Sequence, residues 1–296
     1  MKKRLSFIII RFFICILCHA QSKPSLSISP HMGFTFGQFD EILYDSNGNQ
    51  CSLLEWEQKP LLNIGFSMAL ALQRFSITTS FEYGTKLGNP YMTDSDWNSG
   101  EKYSVTRHPL ESSKELNTQF LLTYNLISDK RLNIFPEIEL QYMYDSFNAG
   151  KGSGIRDGRK INVYGVDYTK HSLFIFTGYN LGINLSSYLK LNTDFFISPF
   201  VYQYDIDFHH GVINPFTSID IQQGAFTKFK INANLELKCT DTFKINFYTQ
   251  FLFGYINQGA FYSNYYTEEI TKFDDQKSGS NLYSIKFGIG TTSLHF

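Results

Sequence analysis

The sequence predicts an all-β fold, a ten-stranded antiparallel transmembrane β-barrel that extends above the outer membrane. Three observations predict this fold. Long stretches of the chain alternate apolar and polar residues, tight turns alternate with longer polar segments, and the first twenty residues have the composition of a secretion signal. Aromatic residues make up 17% of the chain although its mean hydropathy is only -0.20, which favours strands with two unlike faces.

Residues 1–20 are predicted to be a signal peptide, and residues 21–296 a single barrel domain. Lys2, Lys3 and Arg4 form a basic start, the apolar stretch "LSFIIIRFFICIL" follows, and "CHA" before Gln21 is typical of a cleavage site. The alternative is a membrane anchor. Arg11 interrupts the apolar run, which is shorter than the roughly 20 residues that a spanning helix needs.

The period-two pattern marks the strands along the rest of the chain. In "FKINFYTQFLFGY", residues 243–255, the odd positions are mostly aromatic or aliphatic, whereas Lys244, Asn246 and Gln250 stand between them. Comparable stretches include residues 132–144 and 229–239, and others begin near Leu26, Leu53, Phe75, Leu116, Val163, Leu189 and Tyr283. Strands of soluble sandwiches usually span only about 5–6 residues, so runs of this length favour a closed barrel with lipid outside and a polar lumen.

The connections predict which end of the barrel carries each polar segment. Tight turns are expected near residues 73–74, 128–130, 186–187 and 240–242, at the periplasmic end. External loops are expected at about 45–50, 88–113, 148–161, 207–218 and 258–280. The groups "MTDSDWN" (92–98) and "YDIDFHH" (204–210) are therefore expected at the same outer rim of the barrel, although they are far apart in the sequence.

Within each of these two groups the acidic residues are two positions apart, which places them on one face of an extended strand. Asp94 and Asp96 share a face, and so do Asp205, Asp207 and His209. A carboxylate beside a histidine can orient the imidazole, which can then accept a proton from water. A solvated acidic loop and a cation site remain alternatives. After the predicted signal peptide, no CxxC or HExxH spacing predicts a metal site, and the formal net charge of -1 does not indicate nucleic-acid binding.

At these residues the sequence resembles the omptin family, which are ten-stranded outer-membrane proteases of Gram-negative bacteria. "SLLEWEQKPLLNIG" (52–65) resembles the family's second strand, and "MTDSDWN" with "TRHP" (106–109) resembles its second external loop. "DIDFHH" (205–210) resembles the segment that carries its Asp-His pair, and the terminal Phe296 fits a barrel assembly signal.

The resemblance implies an aspartic-type endopeptidase in which His209 is the general base, oriented by Asp207, and Asp94 and Asp96 help to hold the attacking water. It implies that Glu41 and Asp205 form an acidic pocket for Arg or Lys before the cut, although Glu41 could also be a solvated rim residue.

The resemblance further implies polypeptide substrates with basic residues, a location in the outer membrane with the site facing outside, no cofactor, and a requirement for lipopolysaccharide. No arginine near Lys170 and His171 matches the expected lipid site, and Lys170 could be a plain surface charge. The alternative function is a non-catalytic outer-membrane barrel, either an adhesin or a structural surface protein, and a passive pore is a third reading.

Overall fold

The computed structural model describes residues 24–129, 131–211, 215–265 and 269–295. The predicted signal peptide and Phe296 lie outside the described residues, so the boundary after residue 20 stays a prediction. Within the described part of the chain there is no helix that is long and apolar enough to cross a membrane.

The described residues form fifteen strand segments in one antiparallel sheet. They are β1 (Ser25–Tyr44), β2 (Gln50–Leu72), β3 (Phe75–Lys86), β4 (Tyr91–Asn98), β5 (Glu101–Tyr124), β6 (Ile127–Ser128), β7 (Leu132–Ala149), β8 (Gly152–Arg156), β9 (Arg159–Val163), β10 (Val166–Asn184), β11 (Leu189–His209), β12 (Phe216–Gly224), β13 (Lys228–Lys238), β14 (Phe243–Ser263) and β15 (Thr271–His295).

The sheet closes on itself, because β1 pairs with β15 and β5 pairs with β7. Segments β3 and β4 follow one another between β2 and β5, and β12 and β13 do so between β11 and β14. The two-residue β6 pairs with the start of β7, and the hairpin of β8 and β9 pairs with β5. These short segments add no further strand to the ring. The wall is therefore a ring of ten strands, and the predicted barrel is confirmed.

The two faces of the wall differ as the alternation predicts. Phe247 and Phe251 on β14 are 48% and 44% exposed on the outside of the barrel, and Ile64 on β2 is 59% exposed. Glu139 and Gln141 on β7 are buried in the lumen. A band of large apolar residues thus surrounds the lower part of the barrel, as lipid contact requires.

The lumen is filled rather than open. Lys230 on β13 forms an ion pair with Glu139 on β7, and Lys286 on β15 forms one with Glu82 on β3. Above these pairs lies a layer of packed rings: Trp56 stacks on Tyr168 at 5.0 Å, and Phe39 packs on Tyr168 at 5.6 Å between centroids. This packing argues against the passive-pore reading.

The end of the barrel opposite the chain termini, here called the rim, is more regular than the sequence predicts. Most of the expected loop at 88–113 belongs to β4 and β5, which are joined by a turn with positive φ at Ser99 and Gly100. Most of the expected loop at 148–161 is likewise strand. Polar residues continue a strand wherever both its faces meet water or a polar lumen, so composition alone overestimates these loops. The rim residues consequently stand on paired strands.

Candidate active site

Asp207 and His209 form a direct contact near the rim end of β11. Nε2 of His209 lies 2.6 Å from Oδ2 of Asp207. The carboxylate side chain is only 5% exposed, whereas the imidazole is 19% exposed. The contact follows from the extended backbone, on which residues i and i+2 share a face. It leaves Nδ1 of the imidazole free of this carboxylate.

A second strand fixes the plane of the imidazole. His209 lies opposite Phe216 of β12 in the strand register, and the two rings stack at 4.2 Å with an interplanar angle of 10°. Tyr265 packs its ring edge against Phe216 at 4.7 Å. The imidazole is therefore held at one nitrogen by Asp207 and on one face by Phe216.

Asp94 and Asp96 stand on β4, on the other side of the ring from β11, with β5, β7 and β10 between them along the shorter path. Asp94 lies between Leu54 of β2 and Thr106 of β5 in the register. Asp96 accepts side-chain hydrogen bonds from Ser104 and Ser52. We call the space between Asp94, Asp96, Asp207 and His209 the cleft.

The charges on the two walls of the cleft act on each other. Burial and the charge of Asp96 raise the pKa of Asp94 to about 7, while the imidazole of His209 opposes this rise. Burial also raises the pKa of Asp96. Burial alone would lower the pKa of His209, but the charge and hydrogen bond of Asp207 and the charges of Asp94 and Asp96 raise it above its usual value. Asp94, Asp96 and His209 thus all hold their protons more tightly than the free side chains do.

Arg156 is a charged neighbour of the cleft that the sequence analysis missed. It ends β8 and lies opposite Ser104 of β5, to which its Nε donates a hydrogen bond of 3.5 Å. Its positive charge lowers the pKa values of Asp94 and Asp96 and so opposes their burial. The only sequence signal was the basic character of the segment around it.

Glu41 and Asp205, the residues expected in an acidic pocket, lie deeper than the cleft and are 8% and 1% exposed. Glu41 is therefore not a solvated rim residue. Burial, followed by the charge of Asp207, raises the pKa of Glu41 well above its usual value, and burial raises that of Asp205 to about 7. The two side chains stand on β1 and β11, which are separated by β12, β14 and β15. We call the space between them the acidic pocket.

Asp220 and Tyr168 are two further buried residues of this pocket that the sequence analysis did not identify. Asp220 on β12 is directly opposite Asp205, and Tyr168 on β10 is directly opposite Asp207. Burial and the charge of Asp205 raise the pKa values of both side chains. Neither lies in a recognisable motif, so only the barrel register reveals them.

Lys170 is not the surface charge that the sequence analysis considered. Its side chain is 2% exposed and forms an ion pair of 3.2 Å with Asp145, and its Nζ lies 3.2 Å from the ring centroid of Phe39. His171, the next residue, faces the other way and accepts or donates a hydrogen bond of 2.8 Å with the hydroxyl of Tyr142. Lys170 is therefore a buried partner of the acidic groups below the cleft.

His210 is separate from the cleft. It projects to the outside of β11, where its Nε2 lies 2.8 Å from Oδ2 of Asp167, and both side chains are more than 40% exposed. Among the described residues there is no group of three or more His, Cys, Asp or Glu side chains that could hold a metal ion.

Comparison with known proteins agrees with the barrel architecture. The model of the omptin family matches residues 22–293. The outer membrane protease OmpT of Escherichia coli superposes with a TM-score of 0.79 at 16% identity, over 92% of this chain and 97% of that chain.

Two autotransporter barrels are far less similar. The translocator domain of NalP from Neisseria meningitidis has a TM-score of 0.37 at 7% identity, over 98% of this chain and 96% of that one. The transport unit of AIDA-I from Escherichia coli has a TM-score of 0.34 at 13% identity, over 94% and 92%. No curated protein matches the sequence. Since the family model spans nearly all of the chain after the predicted signal, this protein belongs to the omptin family, as the sequence motifs predict.

Proposed function

We propose that this barrel is an outer-membrane endopeptidase of the aspartic type that cleaves peptide bonds next to basic residues. The observation that carries the proposal is the contact of 2.6 Å between His209 and Asp207 in a cleft whose other wall carries Asp94 and Asp96. An oriented imidazole and a pair of carboxylates on opposing walls are the groups needed to hold one water molecule and take a proton from it.

The proposed reaction has two steps. Asp207 orients His209, whose neutral imidazole accepts a proton from a water held on its other side by Asp94 and Asp96. The resulting hydroxide adds to the scissile carbonyl carbon and forms a tetrahedral intermediate. The imidazolium then gives its proton to the amide nitrogen, the carbon–nitrogen bond breaks, and a carboxyl group and an amine leave. No acyl-enzyme is formed.

The acidic pocket supplies the preference for a basic side chain before the cut. Glu41 and Asp205 are buried carboxyl groups on opposing walls. Asp205 is two residues before Asp207 on β11, and the charge of Asp207 acts on Glu41. A cationic side chain that enters between them would form charge-assisted hydrogen bonds in a partly dry space, which are stronger than those between neutral groups.

The setting of the reaction is part of the same proposal. The site would face the outside of the cell, where its partners are polypeptides with basic residues and the lipid of the outer membrane. The family resemblance also implies a requirement for lipopolysaccharide. Since Lys170 is buried against Asp145, it would not contribute to a lipid site on the outer wall.

The test is cleavage of internally quenched peptides by the refolded barrel, with and without lipopolysaccharide. Each peptide holds a dibasic site, and a matched peptide holds two glutamines instead. We expect wild type and the control variant Asp167→Asn to cut only the dibasic peptides, and His209→Ala to lose at least about 10²-fold in rate.

If wild type cuts no better than His209→Ala across several such peptides, the proposal is wrong. The barrel would then be a non-catalytic adhesin or structural protein, whose surface binding survives the double change Asp207→Asn with His209→Ala.

A further inference from the structure

Asp220 has no role in the reaction described above, yet its carboxyl group lies among the buried acids of the pocket. It stands on β12 directly opposite Asp205 of β11, on the same face of the wall. The two residues are 3% and 1% exposed. Like charges directly opposite each other on neighbouring strands destabilise a sheet, and burial increases that cost. The pair therefore lowers the stability of the fold, and stability does not explain its presence.

The surrounding side chains neutralise this pair only in part. Lys170, which lies opposite Asp205 on the other side, is engaged by Asp145 at 3.2 Å. Ser278 reaches one oxygen of Asp220. Tyr168 is a donor to Asp205, whereas among the described residues the other oxygen of Asp220 has no hydrogen-bond partner. A donor that enters the pocket would satisfy the remaining buried acceptors.

A third acid faces this pair from across the lumen. Glu41 on β1 is also buried, and its Oε2 has no hydrogen-bond partner among the described residues. The charges of Asp205 and Asp220 both act on Glu41, so the three carboxyl groups border one space. Two of them come from adjacent strands, and the third comes from the other wall.

We propose that Asp220 is a specificity-determining residue of the acidic pocket and makes it select arginine over lysine before the cut. This inference rests on the proposed function and names the side chain that the pocket takes. A guanidinium group is planar, always charged, and has five N–H donors in a fixed fork. It can donate to acceptors on both walls at once.

A lysine ammonium makes less use of the same acceptors. It is a compact, strongly hydrated charge with three donors, and it would have to lose its hydration to reach acids that stand on both sides of the pocket. The carboxyl pair of Asp205 and Asp220 is therefore better matched by arginine, and the removal of one carboxylate should cost arginine more than lysine.

The first experiment measures binding without cleavage. In a His209→Ala background, the affinities for an arginine peptide and for its lysine and citrulline counterparts are measured by calorimetry in detergent, with and without Asp220→Asn. We expect arginine to bind tightest. Asp220→Asn should weaken arginine binding about 10-fold or more, as expected for hydrogen bonds to a charged group, and lysine binding by less than about 3-fold.

The matched control for this experiment is Asp167→Asn, which removes an exposed carboxylate on β10 outside the pocket and should leave all three affinities unchanged. A second readout excludes a purely structural role for Asp220. Because the wild-type carboxylate is buried without a cation of its own, Asp220→Asn should raise the unfolding temperature rather than lower it.

Equal weakening of all three peptides by Asp220→Asn, or no change in any of them, would overturn the inference. The cleavage assay is run in parallel with Asp220→Asn in an otherwise wild-type chain. A barrel that binds arginine selectively but cuts none of the peptides would refute the proposed function while the role of Asp220 stands. Cleavage without an arginine preference would refute only the role of Asp220.

Discussion

His209 and Asp207 are joined through Nε2 and Oδ2 at 2.6 Å, and they share one face of β11 at the rim. This contact couples the charge of the carboxylate to the protonation of the imidazole, and it is the main reason why the pKa of His209 is raised despite burial. The coupling makes Asp207 a positioning residue whose removal should alter both the rate and its dependence on pH.

The change Asp207→Asn should lower kcat by about 10²–10⁴-fold, because the imidazole loses its orientation and the imidazolium loses its counter-charge. The loss of the negative charge also lowers the pKa of His209, so the remaining activity should appear at lower pH than in wild type. Rates measured across the pH range check both effects. Asp167→Asn, next to His210, should change neither, and an unshifted profile in Asp207→Asn would contradict the coupling.

The wild-type kcat/KM should rise with pH above the usual pKa of imidazole. The general base must be neutral, and the pKa of His209 is raised, so the protein needs a higher pH than a free imidazole would. Asp94, with a pKa of about 7, must also lose its proton before both walls can hold the water. The initial rate on one dibasic peptide, measured from about pH 5 to 9, checks this. A maximum near pH 5 would show that protonated His209 is the active form.

The change Asp94→Asn should abolish cleavage and stabilise the fold at high pH. Burial raises the pKa of Asp94, so the folded protein binds the proton of this carboxyl group more tightly than the unfolded chain does. Ionised Asp94 therefore lowers the stability of the fold at any pH above the pKa that this group has in the unfolded chain. At about pH 8 the variant should melt roughly 2 °C or more above wild type, and at about pH 3 the difference should vanish.

The matched control for that experiment is Asp45, which lies at the exposed tip between β1 and β2. Hydrogen bonds from Asn49 and Asn47 lower its pKa, whereas the pKa of Asp94 is raised. The ionised form of Asp45 therefore favours the folded state. Asp45→Asn should therefore leave the unfolding temperature unchanged or slightly lower at about pH 8. A gain in stability for both variants would show that the effect comes from total charge and not from burial.

Lys170 should be needed for stability because it is the buried cation between Asp145 and Asp205. Lys170→Met leaves both carboxyl groups uncompensated and should destabilise the fold by about 3–5 kcal/mol. Adding Asp145→Asn should restore part of the loss, which a double-mutant cycle on urea unfolding in detergent would detect. Purely additive losses would mean that the ion pair of 3.2 Å contributes nothing.

The sequence predicts the barrel and much of the site because both depend on a period of two. The alternation along residues 243–255 places Phe247 and Phe251 outside, and the same rule puts Asp207 and His209 on one face. Around Lys170 the rule carries no information, because both faces of β10 hold polar or aromatic residues. The inward orientation of Lys170 is set by its pairing with Asp145.

Other parts of the site depend on contacts between strands that are distant in the sequence. The register of β12 against β11 places Asp220 opposite Asp205 and Phe216 opposite His209. The pairing of β8 with β5 places Arg156 opposite Ser104. A turn or loop length that changed by one residue would move each of them to the opposite face. Single-strand patterns cannot supply that register.

The most direct test of the central claim is a double-mutant cycle on kcat across the cleft, with Asp94→Ala, His209→Ala and the two changes combined. If both walls act on one water molecule, each single change should lower kcat by about 10³-fold or more, and the combined change should be little worse than either alone. If the two losses instead multiply, Asp94 and His209 act independently, and the shared-water mechanism is wrong.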